Sequence, residues 1–196
     1  MAGLSLFLLG GFEARQNEIP ILGFKTDKSR ALLAYLVVES NRPHRRQALA
    51  GLLWPGYLES SARANLRHAL ANLRQLLAEE KSSAPFLDIE GESIYFNPTS
   101  DHWLDVKAFR SLVEAEQPEK TAIARLEEAL SLCKGAFLEG FSLKDSPEFD
   151  NWLSIVRDDL QRLALLAMYQ LAEEYASRGE LEKACKVARK QLDLDA

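Results

Sequence analysis

The chain has 196 residues, of which 47% are hydrophobic and 27% charged, and its formal net charge at pH 7 is -5. These values are ordinary for a globular protein and exclude both a polycation and a chain too polar to fold. No apolar run reaches the roughly 20 residues that cross a bilayer, and no basic segment precedes the apolar run 4–9 as a signal peptide requires. The two cysteines, Cys133 and Cys185, form no disulfide framework, so a reducing, cytoplasmic compartment is expected.

Charge is distributed unevenly along the chain. Residues 1–97 carry 11 Lys/Arg and 10 Asp/Glu, whereas the remainder carries 13 and 19. Within residues 41–78 there are six arginines and a single acid, Glu59. A local basic patch in a mildly acidic protein indicates a nucleic-acid surface joined to a second module, although a solvated face would give the same count.

The first hundred residues predict a short sheet, three helices and a hairpin. Apolar runs at 4–9, 12–15 and 19–24, separated by Gly and Asn, indicate a small antiparallel sheet of three strands. Helical spacing follows at 27–39, with Thr26 or Asp27 as N-cap, then at 44–53 and 59–80. Two β-prone runs around Gly91 form a hairpin at 86–96. This order is that of a winged helix, whose third helix enters the major groove.

The third predicted helix separates an apolar face from a face rich in arginine. At 100° per residue, its leucines and Ala69 occupy one sector, while Arg63, Arg67 and Arg74 form a single stripe beside it. Arg can bind a guanine edge through two hydrogen bonds, and Asn or Gln can do the same for adenine. The predicted DNA-binding residues of this helix are Ser60, Ser61, Arg63, Ala64, Arg67, His68, Ala71, Asn72, Arg74 and Gln75.

Two further features bear on DNA contact. Arg45 and Arg46 open the second predicted helix and are expected to reach backbone phosphates, which fixes register without reading sequence. The hairpin tip, Glu90-Gly91-Glu92, is acidic and would be repelled by phosphate. Readout is therefore expected from the third helix alone, or else the wing faces a neighbouring subunit.

The second half of the chain is predicted to be entirely helical. Helices are expected at 105–116, 120–134, 147–177 and 180–192, with a break at 135–144. The spacing of Tyr169, Ala172, Tyr175, Gly179 and Ala184 is typical of a tetratricopeptide hairpin, although a generic helical hairpin gives the same pattern. We therefore expect two domains, 1–100 and 101–196. Because such a unit cannot bury its face alone, we expect the second to continue in a longer protein.

Three segments together resemble a known family. They are ALLAYL at 31–36, LLWP at 52–55 and ARANLRHALANLR at 62–74. They look like the Streptomyces antibiotic regulatory protein family, bacterial activators with an OmpR/PhoB-type winged helix followed by a bacterial transcriptional activation domain (BTAD). The resemblance covers nearly the whole chain. It implies a transcriptional activator that binds double-stranded DNA at direct repeats, pairs as a homodimer there and recruits RNA polymerase. By the same resemblance, the polymerase-contacting loop is Trp54, Pro55, Gly56, Tyr57, Leu58 and Glu59.

Two other classes of function fit the sequence less well. Catalysis is disfavoured because His44, His68 and His102 lie apart and no phosphate-binding loop or nucleophile motif is present, and no metal or cofactor is expected. A protein-interaction scaffold of helical repeats, anchored by its tryptophans, would not need an arginine stripe free of acids. Transcription regulation is therefore the preferred hypothesis, with the scaffold as the alternative.

Overall fold

The computed structural model describes residues 3–77, 85–115 and 122–195. In chain order the elements are β1 (Leu4–Phe7), β2 (Glu13–Gln16), β3 (Ile19–Pro20), α1 (Asp27–Val38), β4 (His44–Arg45), α2 (Arg46–Leu53), α3 (Glu59–Leu76), β5 (Leu87–Glu90), β6 (Ser93–Phe96), β7 (His102–Leu104), α4 (Asp105–Glu114), α5 (Ala122–Leu132), α6 (Pro147–Ser177) and α7 (Leu181–Asp195). The predicted fold class, a winged helix followed by a helical region, is confirmed.

The N-terminal sheet has four strands in the order β3-β2-β1-β7. Strands β1 and β2 are antiparallel, with Leu6 opposite Ala14, whereas β7 is parallel to β1, with Leu6 opposite Leu104. The prediction of three antiparallel strands was wrong on this point, and so was the expectation that the second half is entirely helical. The pairing partner of β7 lies about a hundred residues earlier in the chain, so no local sequence pattern predicts this pairing.

The wing is a second sheet, in the order β4-β6-β5. Its hairpin turns at Gly91, whose φ of +56° is a backbone conformation that glycine adopts readily. Strand β4 pairs His44 with Ile94 and Arg45 with Ser93. Because of this pairing, these two residues are extended, and α2 begins only at Arg46 instead of at residue 44 as predicted.

Helices α1, α2 and α3 pack on one apolar core. Of the two predicted N-cap candidates, Thr26 caps α1, because its hydroxyl oxygen accepts a hydrogen bond from the Ser29 backbone N–H at 3.2 Å. Leucines from all three helices, including Leu32, Leu53 and Leu66, are almost fully buried. Helix α3 ends at Leu76, and the predicted end at residue 80 lies outside the described residues.

The second half is built around α6, a 31-residue helix that packs on both α5 and α7. Helix α6 ends at a glycine cap: Gly179 has a φ of +79°, and the Glu180 N–H donates to the Tyr175 carbonyl at 2.9 Å. Helices α6 and α7 thus form the predicted helical hairpin. Two predicted boundaries, the end of the helix 105–116 and the start of the helix 120–134, lie outside the described residues. No described helix is both long enough and apolar enough to cross a membrane.

The predicted break at 135–144 is held in place by Arg157 of α6. Its Nε donates to the Phe137 carbonyl at 2.8 Å, and its Nη2 donates to the carbonyls of Leu138 and Phe141 at 2.6 and 3.2 Å. Phe137 also forms an isolated antiparallel bridge with Leu9, just beyond β1. One guanidinium therefore satisfies three carbonyls of a segment that forms no helix, and backbone hydrogen bonds to residues 8–10 hold its other side.

The two halves share a continuous hydrophobic core. Asp105, at the start of α4, is only 2% exposed, and its Oδ2 accepts hydrogen bonds from the backbone N–H groups of Leu8 and Leu9 at 2.6 and 2.7 Å. Trp152 of α6 meets the Tyr35 ring edge to face, with ring centres 5.0 Å apart, and donates from Nε1 to the Glu39 carboxylate at 2.9 Å. The junction thus joins α4 and α6 of the second half to α1 and to the residues just after β1.

Candidate nucleic-acid interface

Helix α3 presents most of its predicted DNA-binding residues to solvent. Ala62, Leu66, Ala69, Leu70 and Leu73 are buried against the core. Eight of the ten predicted residues are exposed, namely Ser60, Ser61, Arg63, Arg67, His68, Ala71, Arg74 and Gln75, while Ala64 is half-buried. The amphipathic pattern of this helix therefore predicted its outer face well.

Asn72 is the exception. The sequence placed it on the outer face, but it is 4% exposed and lies in the core. Its Oδ1 accepts from the Lys25 backbone N–H at 3.1 Å, and its Nδ2 donates to the Gly23 carbonyl at 3.3 Å. Because both ends of this amide are engaged by the segment that precedes α1, the prediction that Asn72 reads adenine is wrong. Its role is to hold residues 23–25 against α3.

That segment adds a cation that the sequence analysis did not single out. Lys25 is exposed and lines a small groove of about 230 Å³ together with Lys28, Asn65 and His68. The groove runs beside α3, between its polar face and the start of α1. A Lys just before a helix is an ordinary sequence feature, and the Asn72 hydrogen bonds are among the contacts that hold Lys25 beside the predicted recognition helix.

The wing tip folds against the first turn of α3. The Arg46 backbone N–H donates to the Glu92 carbonyl at 2.8 Å, and its Nε donates to the Gly91 carbonyl at 3.2 Å. Arg63 lies 3.2 Å from the Glu59 carboxylate and 3.8 Å from that of Glu92. The acidic tip therefore faces one of the three arginines of the predicted stripe, and both acids belong to the winged helix itself.

Arg67 lies one turn further along α3 and differs from Arg63. It is exposed, and within 3–77, 85–115 and 122–195 it makes no hydrogen bond or ion pair. With Arg46, Ser60, Arg63 and Glu92 it lines a shallow groove of about 320 Å³ between the wing and α3. Its guanidinium is thus available to an incoming ligand.

The predicted phosphate contacts lie on the wing side of α3. Arg45, in strand β4, is exposed, whereas Arg46, the first residue of α2, is half-buried by its contacts with the wing tip. On the same side, α3 begins after Leu58 with no side chain capping its first backbone N–H groups. Ser60 and Ser61 stand beside these N–H groups, where an anion is favoured by the helix dipole.

The loop between α2 and α3 is anchored to the helical half. Lys28 lies 5.5 Å from the ring centres of both Trp54 and Tyr57, and its Nζ donates to the Asp145 carboxylate at 2.7 Å. This hydrogen bond lowers the pKa of Asp145. The buried Ser146 hydroxyl donates to the carbonyl of Leu53, at the end of α2.

Trp54 itself is 6% exposed, so its ring belongs to the core and cannot be a contact surface as the sequence analysis expected. The other five residues of the predicted loop, Pro55, Gly56, Tyr57, Leu58 and Glu59, are all exposed, and Leu58 is 80% exposed. The loop therefore presents an apolar tip on a base fixed by both halves. No group of three or more metal-ligating side chains occurs in the part of the chain that the structure describes.

Comparison with known proteins agrees with this architecture. Residues 104–195 match the bacterial transcriptional activator domain. A stretch of 74 residues, 38% of the chain, is 39% identical to the transcriptional regulatory protein EmbR of Mycobacterium bovis and of Mycobacterium tuberculosis, and it covers 19% of those relatives.

The fold is also found in a solved structure. Mycobacterium tuberculosis EmbR in complex with a low affinity phosphopeptide superposes with a TM-score of 0.61 at 22% identity, over 97% of this chain and 59% of that one. At this identity the likeness concerns the fold alone. The winged helix, the matched activator domain and the EmbR relatives agree with the resemblance of the chain to the Streptomyces antibiotic regulatory protein family.

Proposed function

We propose that this chain regulates transcription by binding double-stranded DNA through the outer face of α3. The observation that carries the proposal is the exposed, unpaired guanidinium of Arg67 in the middle of that face. The name of the EmbR relatives, transcriptional regulatory protein, supports the same function. A helix of this width fits the major groove of B-DNA, where arginine distinguishes guanine from the other bases.

The roles of the individual residues follow from their chemistry and position. Arg67 and Arg74 read base edges, and His68 and Gln75 contribute further hydrogen bonds from the same face. Arg45 binds phosphate on the wing side, while Ser60 and Ser61 bind phosphate at the open start of α3. Lys25 adds a third phosphate contact beyond His68. Specificity therefore depends on a few central side chains, and affinity depends on the cations around them.

The acidic wing tip does not bind DNA in this proposal. Glu92 neutralises part of the charge of Arg63, so Arg63 orients the wing and contributes less to readout than Arg67 does. A carboxylate at this position is repelled by phosphate, and α3 therefore carries the readout. The wing instead sets the width of the groove beside the helix.

Recruitment of RNA polymerase at promoters with direct repeats, and pairing of two copies on such repeats, extend the proposal. The supporting feature is the exposed apolar tip at Tyr57 and Leu58, whose base is fixed by Lys28, Asp145 and Ser146. A rigid, apolar projection next to a DNA-binding helix suits contact with a second protein on the same DNA.

Selection of bound fragments from a random pool of DNA duplexes, using the whole chain, tests the proposal directly. With the selected site, Arg67→Ala is expected to weaken binding by about 1 to 3 kcal/mol and to relax the preference at one base pair. Arg162→Ala, on the exposed surface of α6, removes the same charge far from α3 and serves as control. Failure to enrich any sequence, or unchanged affinity and preference with Arg67→Ala, would contradict the proposed role of this face.

A further inference from the structure

Helices α5, α6 and α7 enclose a second groove, which DNA binding does not use. Its volume is about 590 Å³. Residues of α6 form the floor, and α5 and α7 form the two walls. The apolar lining consists of Leu130, Cys133, Met168, Leu171 and Val187. Burial raises the pKa of the Cys133 thiol to about 11, so this group is neutral and adds to the apolar lining.

One wall of this groove is lined by lysines. Lys183, Lys186 and Lys190 recur at three- and four-residue spacing on α7, so they lie along one face over about 10 Å of helix. All three are exposed. Their presence contrasts with the surrounding half of the chain, in which acids outnumber bases by 19 to 13.

Of these three lysines, only Lys183 forms an ion pair in the described part of the chain. Lys183 pairs with Glu180 at 2.5 Å. Glu127, on the opposite wall, accepts a hydrogen bond from the Tyr175 hydroxyl, which raises the pKa of that tyrosine to about 12. In the described part of the chain, Lys186 and Lys190 have no carboxylate within ion-pair distance. Two lysine ammonium groups of this wall are therefore unpaired beside an apolar floor.

We propose that this groove binds an acidic amphipathic helical segment of a partner protein. Apolar side chains of the segment would cover the floor at Met168 and Leu171, and carboxylates at matching three- and four-residue spacing would face Lys186 and Lys190. This is the helix-in-groove mode of recognition, and charge complementarity with the lysines requires a ligand that is negatively charged. Nucleic acid fits less well, because a strand of phosphates gains nothing from the apolar floor and meets Glu127 and Glu180. The inference is independent of DNA binding by α3.

Fluorescence anisotropy on the whole chain tests the inference. The probe is a fluorescein-labelled 14-residue peptide of leucine, alanine and glutamate, with leucines on one face and glutamates beside them. Its twin carries glutamine at every glutamate position. We expect the acidic probe to bind, its twin to bind about tenfold more weakly, and added salt to reduce the difference.

Variants of α7 locate the site. The double change Lys186→Glu and Lys190→Glu is expected to weaken binding of the acidic probe by about tenfold. Arg189→Glu reverses a charge on the same helix but outside the groove and should change binding by less than about twofold. Circular dichroism checks that each variant is folded, which is expected because all these side chains are exposed.

Several outcomes would overturn the inference. They are no binding of the acidic probe at millimolar concentration, equal binding of the two probes, or an equal loss with Arg189→Glu. A random-sequence DNA duplex whose binding falls with the Lys186 and Lys190 changes as strongly as that of the peptide would assign the lysines to nucleic acid instead.

Discussion

Asp105 offers the sharpest test of how the two halves are joined. Its carboxylate is 2% exposed and accepts three backbone hydrogen bonds, from Leu8, Leu9 and Val106, at 2.6 to 2.7 Å. Burial raises the pKa of Asp105 from 3.8 to about 6, even though these three hydrogen bonds and Lys134 favour the charged form. The folded protein therefore holds a proton at this site over a pH range in which the unfolded chain has lost it.

The direction of the pH effect follows from this difference. Because the native state binds more protons than the unfolded state between pH 3.8 and about 6, the contribution of Asp105 to the free energy of unfolding falls as pH rises through this window. A shift of about two pKa units corresponds to about 3 kcal/mol. The contribution is fully present below the window and lost above it.

Urea denaturation of the whole chain and of Asp105→Asn, from pH 4 to pH 8, measures this effect. Asparagine has no charge to lose and keeps one acceptor oxygen for the N–H groups of Leu8 and Leu9. We expect the stability of the unmodified chain relative to Asp105→Asn to fall by about 3 kcal/mol over the window and to stay level above it. Asp101→Asn, an exposed aspartate that accepts from the Gly3 N–H at 2.8 Å, makes the same charge change as a control.

A relative stability that rises with pH would refute this reasoning. It would mean that the three N–H donors outweigh burial and hold the pKa of Asp105 below that of the unfolded chain. A flat difference would mean that water reaches the carboxylate. Either result would also weaken the view that the junction is tightly closed.

The remaining predictions concern DNA binding and activation. Arg45→Ala should weaken binding to all DNA sequences alike and lower the slope of log K against log salt by about one, and an unaltered slope would remove Arg45 from the phosphate backbone. Glu92→Gln should strengthen DNA binding by up to about fivefold, because it removes a carboxylate that phosphate repels and releases Arg63. The control Glu90→Gln removes the same charge without releasing Arg63. Weaker DNA binding by Glu92→Gln would contradict the role assigned to the wing. Leu58→Ala should leave DNA affinity unchanged and reduce transcription in a purified polymerase assay, whereas full activity would exclude this apolar tip as a contact.

Local patterns predicted the elements whose stability is local. The amphipathic period of α3 identified the exposed face that contains Arg67 and the buried face that contains Leu66, because a helix must place its apolar stripe against the core. The hairpin turn at Gly91 and the helix end at Gly179 could also be predicted from the local sequence, since each depends on one glycine in a left-handed conformation.

Contacts between distant segments could not be predicted in this way. By its position on the helical wheel, Asn72 lies on the polar side of α3. The chain at Gly23 and Lys25 nevertheless covers this side chain and forms hydrogen bonds with its amide group. Strand β7 is three residues long and exists because β1 offers an open edge. The contact between Glu92 and Arg63 likewise depends on how far the wing bends toward α3. None of these is encoded by spacing within a single segment.

The parallel pairing of β7 with β1 has a consequence for dissecting the protein. A cut at residue 100, which the change in residue pattern invites, would strip β1 of its outer neighbour and leave the N–H groups of Leu8 and Leu9 without an acceptor. A bare strand edge of this kind recruits strands from other chains. A shortened version meant to isolate the winged helix should therefore keep residues 101–106. Without them it is expected to self-associate, and a binding assay would then measure aggregation instead of DNA recognition.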